Sequence, residues 1–216
     1  MRSPTAQRIL ESARKLFNDR GTMHVRLQHI ADETRISVGN LAYHFRNKEA
    51  IVQALYAYIH DSQQHVLSLL RQVPLFVQVN ELLARHWGVQ LAYRFFYLDT
   101  LDILRLYPAI RSTHQEYLGW QHSQLKLMVQ FNLSRGALIL PSAATPDLLA
   151  RHLARHLDHF LSSQVIGGHA HPTFDDFATE FWHLMVPWMS AAGLEEYLSL
   201  SHMNAPPPPP SEPDFS

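Results

Sequence analysis

The chain has 216 residues, 46% of them apolar, with 18 Lys and Arg set against 19 Asp and Glu; that supports one large or two smaller cored domains. It contains no cysteine, which excludes a disulfide framework and a cysteine–zinc centre. No uncharged apolar run reaches the roughly 18 residues of a membrane span, and Met1-Arg2-Ser3-Pro4 lacks the apolar stretch of a signal peptide, so the expectation is a soluble cytoplasmic protein with no membrane partner.

The net charge of −1 hides an asymmetry. Residues 1–60 carry nine Lys and Arg against five Asp and Glu, whereas residues 61–216 carry nine against fourteen. A basic N-terminal end is the electrostatic footprint of a phosphate-binding surface.

Taken in chain order, Ser3-Pro4 reads as an N-cap followed by proline at the first helical position. The helix runs to about Asp19, with Ile9, Leu10, Ala13, Leu16 and Phe17 forming a 3.6-residue stripe and Gly21 as the stop. A second helix spans Leu27–Thr34, packing Leu27, Ile30 and Ala31. After the turn Thr34-Arg35-Ile36 comes a short third helix. Ser37 is its N-cap, and Gly39 leaves room for a close approach. Leu41 and Phe45, four apart, give it one anchored face. Asn40, Tyr43 and His44 are left to face outward. Asn bonds bidentately to adenine, and Tyr and His donate to phosphate oxygens.

One long helix follows from Lys48 to Arg71 and ends before Pro74. Residues 75–97, 99–106 and 110–133 read as three more helices, the first rich in aromatics. The last two long helices are expected at 146–165 and 174–200, with Pro187 kinking or dividing the second. Leu149, Leu153, Leu157 and Leu161 make one i,i+4 stripe, and Phe177, Phe181, Leu184 and Trp188 another. Residues 204–216 contain the run Pro206–Pro210 and read as a polyproline or disordered tail. Strand-like segments are lacking, so the fold class is all-α.

These pieces carry a resemblance. Ile9-Leu10-Glu11-Ser12-Ala13 with Leu16-Phe17 and Gly21, then His29-Ile30-Ala31, then Ser37-x-Gly39-Asn40-Leu41 with Tyr43-His44-Phe45 and Asn47-Lys48-Glu49, together resemble the helix-turn-helix domain of the tetracycline-repressor (TetR) family of bacterial regulators. The resemblance covers residues 9–55, about a fifth of the chain. It implies an N-terminal helix-turn-helix DNA-binding domain at residues 1–48, a helical-bundle domain for ligand binding and dimerisation at 49–203, and the proline-rich tail at 204–216.

At the matching positions it implies that Gln28, Val38 and Asn40 meet base edges. Arg26, Tyr43, His44 and Lys48 then meet phosphates, with Ser37 and Gly39 in the same interface. Three departures stand out. Arg26 replaces a capping Ser or Thr. Arg35 replaces a turn glycine, at up to roughly 1–2 kcal/mol if the turn needs positive φ. Ala42 replaces a Tyr.

In the second domain the aromatic density at 87–131 either lines a ligand cavity or fills the core. The resemblance favours a small, mostly apolar or aromatic ligand, with Tyr93, Phe96, Tyr97 and Trp120 as its contacts. The expected two-fold interface of a homodimer is formed by Leu149, Leu153, Phe160, Phe181 and Trp188 on the last two helices. His152, His156 and His159 have a chelating spacing. Arg151 and Arg155 flank them and repel a cation, so no metal is assigned, and no cofactor.

No nucleophile elbow, phosphate loop or His-Glu-x-x-His motif points to an enzyme. The implied function is a transcriptional regulator released from a palindromic double-stranded operator by a small molecule. The alternative is a DNA-binding architectural or protein-gated factor whose second domain is only a dimerisation scaffold.

Overall fold

The computed structural model describes residues 3–71, 74–142 and 144–200. Eleven α-helices are present among them: α1 Pro4–Arg20, α2 Leu27–Thr34, α3 Val38–His44, α4 Lys48–Ser68, α5 Phe76–Ala92, α6 Arg94–Leu98, α7 Thr100–Leu106, α8 Pro108–Ser134, α9 Pro146–Ile166, α10 Phe174–Met185 and α11 Ala191–Leu200. Short 3-10 turns at Leu69–Arg71 and Val186–Trp188 follow α4 and α10. The one pairing of extended backbone among the described residues is the isolated bridge Leu138–Met189, so the architecture is all-α. The segment 204–216 and residues 201–203 lie outside the described residues.

The local signals act as their chemistry dictates. Ser3 Oγ accepts from Ala6 N–H at 3.3 Å and caps α1. Asn47 Oδ1 does the same for α4 through Ala50 N–H at 2.9 Å. The stripe of α1 is fully used: Ile9, Leu10, Ala13 and Phe17 have no exposed surface, and they meet Ile30, Ala31 and Leu41, equally buried. Each large apolar side chain so buried contributes about 1.5–3 kcal/mol, which is what holds three short helices as a unit. Helix α4 packs on α1 at one side and on α5 and α8 at the other. It therefore belongs to both halves of the molecule.

Two expected helices are divided. Residues 75–97 break at Tyr93, whose φ of −122° and ψ of 40° separate α5 from α6. The reason is a competitor for the helix bonds. The Ala92 carbonyl accepts from the Arg14 guanidinium at 2.9 Å and from Asn18 Nδ2 at 3.0 Å, while Phe95 N–H donates to Asn18 Oδ1 at 3.0 Å. Side chains of α1 have thus taken over the backbone partners that a continuous helix needs. The second break is at Pro187, where α10 passes through a 3-10 turn into α11. Gly193 fixes how α11 crosses the loop after α8: a Cβ there would lie 2.1 Å from the Ala137 carbonyl oxygen.

Behind these helices the core is one continuous cluster. Leu149, Leu153, Phe160 and Phe181 all lie inside it, at 0–4% exposure. The sequence expectation placed these four at a two-fold interface. Within a single protomer they are already covered, because α8 and α10 both pack against α9 and use its apolar stripe. Of that set Trp188 alone keeps part of its surface.

Candidate nucleic-acid interface

Helix α3 is short, and the residues around it decide what it can present. Ser37 Oγ accepts from Asn40 N–H at 3.1 Å, fixing the first turn. Leu41 and Phe45 are buried against the α1–α2 unit. Gly39, Asn40 and Tyr43 then face solvent, Tyr43 with 86% of its surface exposed. Nothing lies close to a Cβ at Gly39 except Ser37 Oγ at 3.9 Å. Val38 is half-buried at the start of the helix. Tyr43 sits edge-on to His44, with ring centroids 5.2 Å apart, and His44 Nδ1 lies 3.5 Å from Ser3 Oγ. The result is a rigid convex helix end with polar groups outward and no acidic side chain within it, the shape and chemistry that enter a major groove.

The flanks complete the surface. Arg26 is exposed at the N-terminus of α2, and its backbone N–H donates to His29 Nδ1 at 3.2 Å. The histidine takes the part that Glu or Gln at the third helical position plays in a capping box. Gln28 is exposed and donates to Asp32 Oδ1 at 2.7 Å. Arg35 adopts φ 58° and ψ 48°, the left-handed conformation. Its strain, about 1–2 kcal/mol, is held by the bonds Arg35 N–H to Asp32 O at 3.1 Å and Ile36 N–H to Ala31 O at 3.0 Å. Arg35 and Arg46, both exposed, bracket α3 in the chain. Sequence reasoning counted Arg46 only in the net charge, because no motif position singles it out.

Lys48 is placed differently from the rest of the set. Its Nζ donates to the Thr22 carbonyl and lies 5.9 Å from the centre of the Phe17 ring. Partial burial lowers its pKa from the ordinary 10.5, and the nearby Asp99 carboxylate opposes that shift. Asp99 Oδ2 in turn accepts from Thr22 N–H at 2.6 Å. Lys48 thus serves, as the structure stands, to tie α4 to the turn after α1. Asp99, at the end of α6, reaches the same turn from the second half of the molecule.

That second half contains the aromatic residues assigned to a ligand. Tyr93, Phe96 and Tyr97 are buried and Trp120 half-buried. Phe96 packs between Tyr56 and His114, 5.2 Å from each ring centre. Tyr97 OH accepts from Gln63 Nε2 at 2.7 Å, and Trp120 meets Tyr117 at 6.1 Å. Clefts open on this domain among the described residues. One, of about 240 Å³, is lined by Asn80, Phe174, Trp182 and Tyr197 among others; the second, of about 220 Å³, lies between α4 and α8 and is lined by Tyr56, His60 and Ile110 among others. Neither is lined by Tyr93, Phe96, Tyr97 or Trp120.

Sequence reasoning passed over a buried polar set here: Gln63, His86, Gln90, His114 and Gln121. The signal was present in α8, where Ile110, His114, Tyr117, Gln121, Leu125, Met128 and Asn132 run at three and four along one buried face. Polar residues in phase with an apolar stripe mark an interior that is not purely hydrophobic. Of the histidines with chelating spacing, His156 donates from Nε2 to the Phe177 carbonyl at 2.8 Å, and its ring stacks on Phe177 at 5.0 Å. Among the described residues no group of three or more His, Asp or Glu could hold a metal ion, and no helix is long and apolar enough to cross a membrane.

Comparison with known proteins bears on the same N-terminal residues. A family model described as bacterial regulatory proteins, tetR family, matches residues 9–55. The HTH-type transcriptional regulator UidR of Escherichia coli K12 is 36% identical over 69 residues, 32% of this chain and 34% of that protein. The match therefore spans about a third of the relative's length. Over the whole fold, a TetR-family transcriptional regulator from Marinobacter aquaeolei VT8 superposes with a TM-score of 0.83 at 22% identity, covering 93% of this chain and 98% of that one. A transcriptional regulator from Saccharomonospora viridis, solved in complex with choline, gives a TM-score of 0.64 at 23% identity, covering 82% and 92%. At such identities the likeness to the two solved structures is one of fold.

Proposed function

By its N-terminal domain this chain belongs to the TetR family of bacterial regulatory proteins, and from that premise we propose that it is a homodimeric repressor whose hold on a palindromic operator is released by a small molecule. As members of a family of DNA-binding transcription factors, such proteins switch a binding equilibrium and catalyse nothing. The observation that carries the reading is α3 itself: an apolar side locked by Leu41 and Phe45, and an exposed side of Gly39, Asn40 and Tyr43 flanked by Arg26, Arg35 and Arg46.

Asn40, Gln28 and Val38 read base edges, the last by apolar contact with a thymine methyl. Ser37, Tyr43, His44 and Arg26 position the helix on the phosphates. Lys48 contributes charge and holds α4 in place. In a two-fold dimer the paired α3 helices stand roughly 34–36 Å apart, one turn of DNA. A ligand that binds better to another spacing shifts the population away from that geometry. The Saccharomonospora viridis neighbour, solved with choline, supports a small-molecule site in a fold of this kind. The tie between Asn18 and the α5–α6 break supports a mechanical route from such a site to α3.

Selection from a random duplex pool, followed by sequencing of the bound fraction, tests the proposal. The expected result is one near-palindromic site with affinity falling steeply with salt. Enrichment of no common sequence would remove the base-reading role of α3.

A further inference from the structure

The buried polar set of the second domain has a chemical bias, and the bias names a ligand class. Gln90 Nε2 and His86 Nε2 both donate to the Leu157 carbonyl. A carbonyl only accepts, so the Gln90 amide and the His86 tautomer are fixed by it. What each has left is an acceptor: Gln90 Oε1 and His86 Nδ1, both buried and without a partner. From α8, Gln121 Nε2 donates to Asp158 Oδ1 at 3.0 Å. That carboxylate orients the Gln121 amide in the same way, and Gln121 Oε1 is again a buried acceptor without a partner. Two helices, α5 and α8, therefore converge on the neighbours Leu157 and Asp158 of α9, and both arrive with acceptors to spare. Buried polar atoms are nearly always satisfied in folded proteins. The Tyr117 hydroxyl, also buried without a partner and close enough to Asp158 to feel its charge, can donate to one acceptor; the others call for donors from elsewhere.

Asp158 adds charge to the acceptors. No cation pairs with it among the described residues, and burial pushes its carboxyl up to about 7. A carboxyl shielded in this way is held towards its neutral form, and a positive group that meets it favours its ionised form. Aromatic rings surround the same place: Tyr117 lies one turn before Gln121, its ring 6.0 Å from those of His60 and His114. Ring faces attract cations. A way in also exists. The cleft of about 220 Å³ between α4 and α8 ends on Tyr56 and His60, which contact His114 and Tyr117 on their inner side. The cleft is thus one layer of rings away from the acceptors.

We propose that the effector is a small protonated amine that retains N–H donors, seated on Asp158 and the side-chain oxygens of Gln90 and Gln121, and reached from the cleft by rotation of Tyr56 and His60. This rests on the reading of the second domain as a ligand-binding domain. It differs from the apolar ligand expected from the sequence, because the aromatic walls enclose a floor of acceptors. A quaternary ammonium carries the charge but no N–H, so it satisfies Asp158 and leaves the amide oxygens bare.

The test uses the full chain and four probes of similar shape: benzylammonium, benzyltrimethylammonium, benzyl alcohol and benzoate. Thermal melting and titration calorimetry read binding without DNA, since a ligand of the native state raises the midpoint. Benzylammonium raises it at millimolar concentration and binds more tightly than the other three. Asp158→Asn is isosteric; it removes the charge and turns one acceptor oxygen into an N–H donor, and it weakens benzylammonium about tenfold or more. Asp61→Asn, at the exposed mouth of the cleft, leaves affinity within about twofold.

Equal or tighter binding of benzyl alcohol or benzoate overturns the proposal. So does an unchanged affinity in Asp158→Asn, or the absence of any shift with benzylammonium. Operator binding is measured separately. Release by a neutral or anionic compound would sink this inference and keep the repressor reading. Amine binding that leaves the operator complex intact would overturn the inference as well, because the bound amine would then be no effector.

Discussion

Asn18 bridges the break at Tyr93: its carboxamide donates to the Ala92 carbonyl and accepts from the Phe95 N–H, each at 3.0 Å. One side chain of α1 thereby stands in for a turn of helix in the second domain. The adjacent Phe17 and Phe95 rings, 5.3 Å apart, seal the same joint. Movement of α6 therefore moves α1, and α1 carries the α2–α3 pair.

Asn18→Ala removes both bonds and leaves the part-buried Phe95 N–H unpaired, which costs about 1–3 kcal/mol. The larger effect is expected in coupling. Operator affinity changes little while its dependence on effector shrinks, because the joint transmits α6 displacement less faithfully. Chemical denaturation and operator titration with and without effector measure the two effects. A variant with full stability and a full effector response would show that the joint is incidental.

At the DNA face, the structure separates residues that the chain sequence lists side by side. Arg26 is exposed and Lys48 is engaged with Thr22. Arg26→Ala should weaken all duplexes alike and lower the salt slope by about one. Lys48→Ala should lower the melting temperature as well, since the Thr22 carbonyl loses its donor. Asn40→Ala should instead relax preference at one position per half-site, at about 1–3 kcal/mol of discrimination. Binding-site selection repeated on each variant checks all three; retention of the full preference by Asn40→Ala would move base reading elsewhere.

The sequence reached the helix-turn-helix unit almost residue by residue, because caps, stop glycine and stripe are local signals: Ser3, Gly21, Ser37 and Leu41 act within a few residues of themselves. It failed at Tyr93 because the break is made by Asn18, far away in the chain, and helical periodicity continues through it. It placed Leu149, Leu153, Phe160 and Phe181 at a two-fold interface, whereas a single protomer already buries them. A stripe states that a face is covered and leaves open whether another helix or another subunit covers it.

The buried titratable groups give stability a pH dependence with a removable component. Burial lowers His86 and His114 from the ordinary 6.5 to about 4, and it lowers His156 as well. They stay neutral in the fold and charge on unfolding, so their contribution is present above about pH 6.5 and is lost as pH falls towards 4. Asp158 works in the opposite sense. Raised from 3.8 to about 7, it favours the fold fully below pH 3.8, and that contribution is lost as pH rises through 7. Between about pH 4.5 and 6.5, unfolding therefore takes up protons on histidines and releases one from Asp158. Asp158→Asn abolishes the release. The stability of that variant should fall with decreasing pH more steeply than wild type, by about 1.4 kcal/mol per pH unit. Denaturant melts at several pH values measure it, and parallel lines for the two proteins would show that Asp158 is ionised in the fold.

A homodimer must use the surface that a single protomer leaves open. The inner stripe of α9 is spent, and its outer side carries Leu148 at 44% and Ile166 at 86% exposure beside the exposed Arg151, His152, Arg155 and His159. On the turn after α10, Trp188 is half-buried and keeps part of its surface open. A two-fold contact through α9 and α10 therefore uses Leu148, Ile166 and Trp188 as its apolar points, each meeting the copy's equivalent patch. Ile166→Glu should leave the circular dichroism and melting of the protomer nearly unchanged, since exposed substitutions move stability by only about 0.5 kcal/mol. It should convert dimer to monomer in sedimentation, with operator affinity reduced to that of a single half-site. Phe160→Glu, which places a charge in the core, should unfold the domain instead. A wild-type chain that sediments as a monomer at micromolar concentration, or an Ile166→Glu variant that remains dimeric, would place the two-fold axis on another surface.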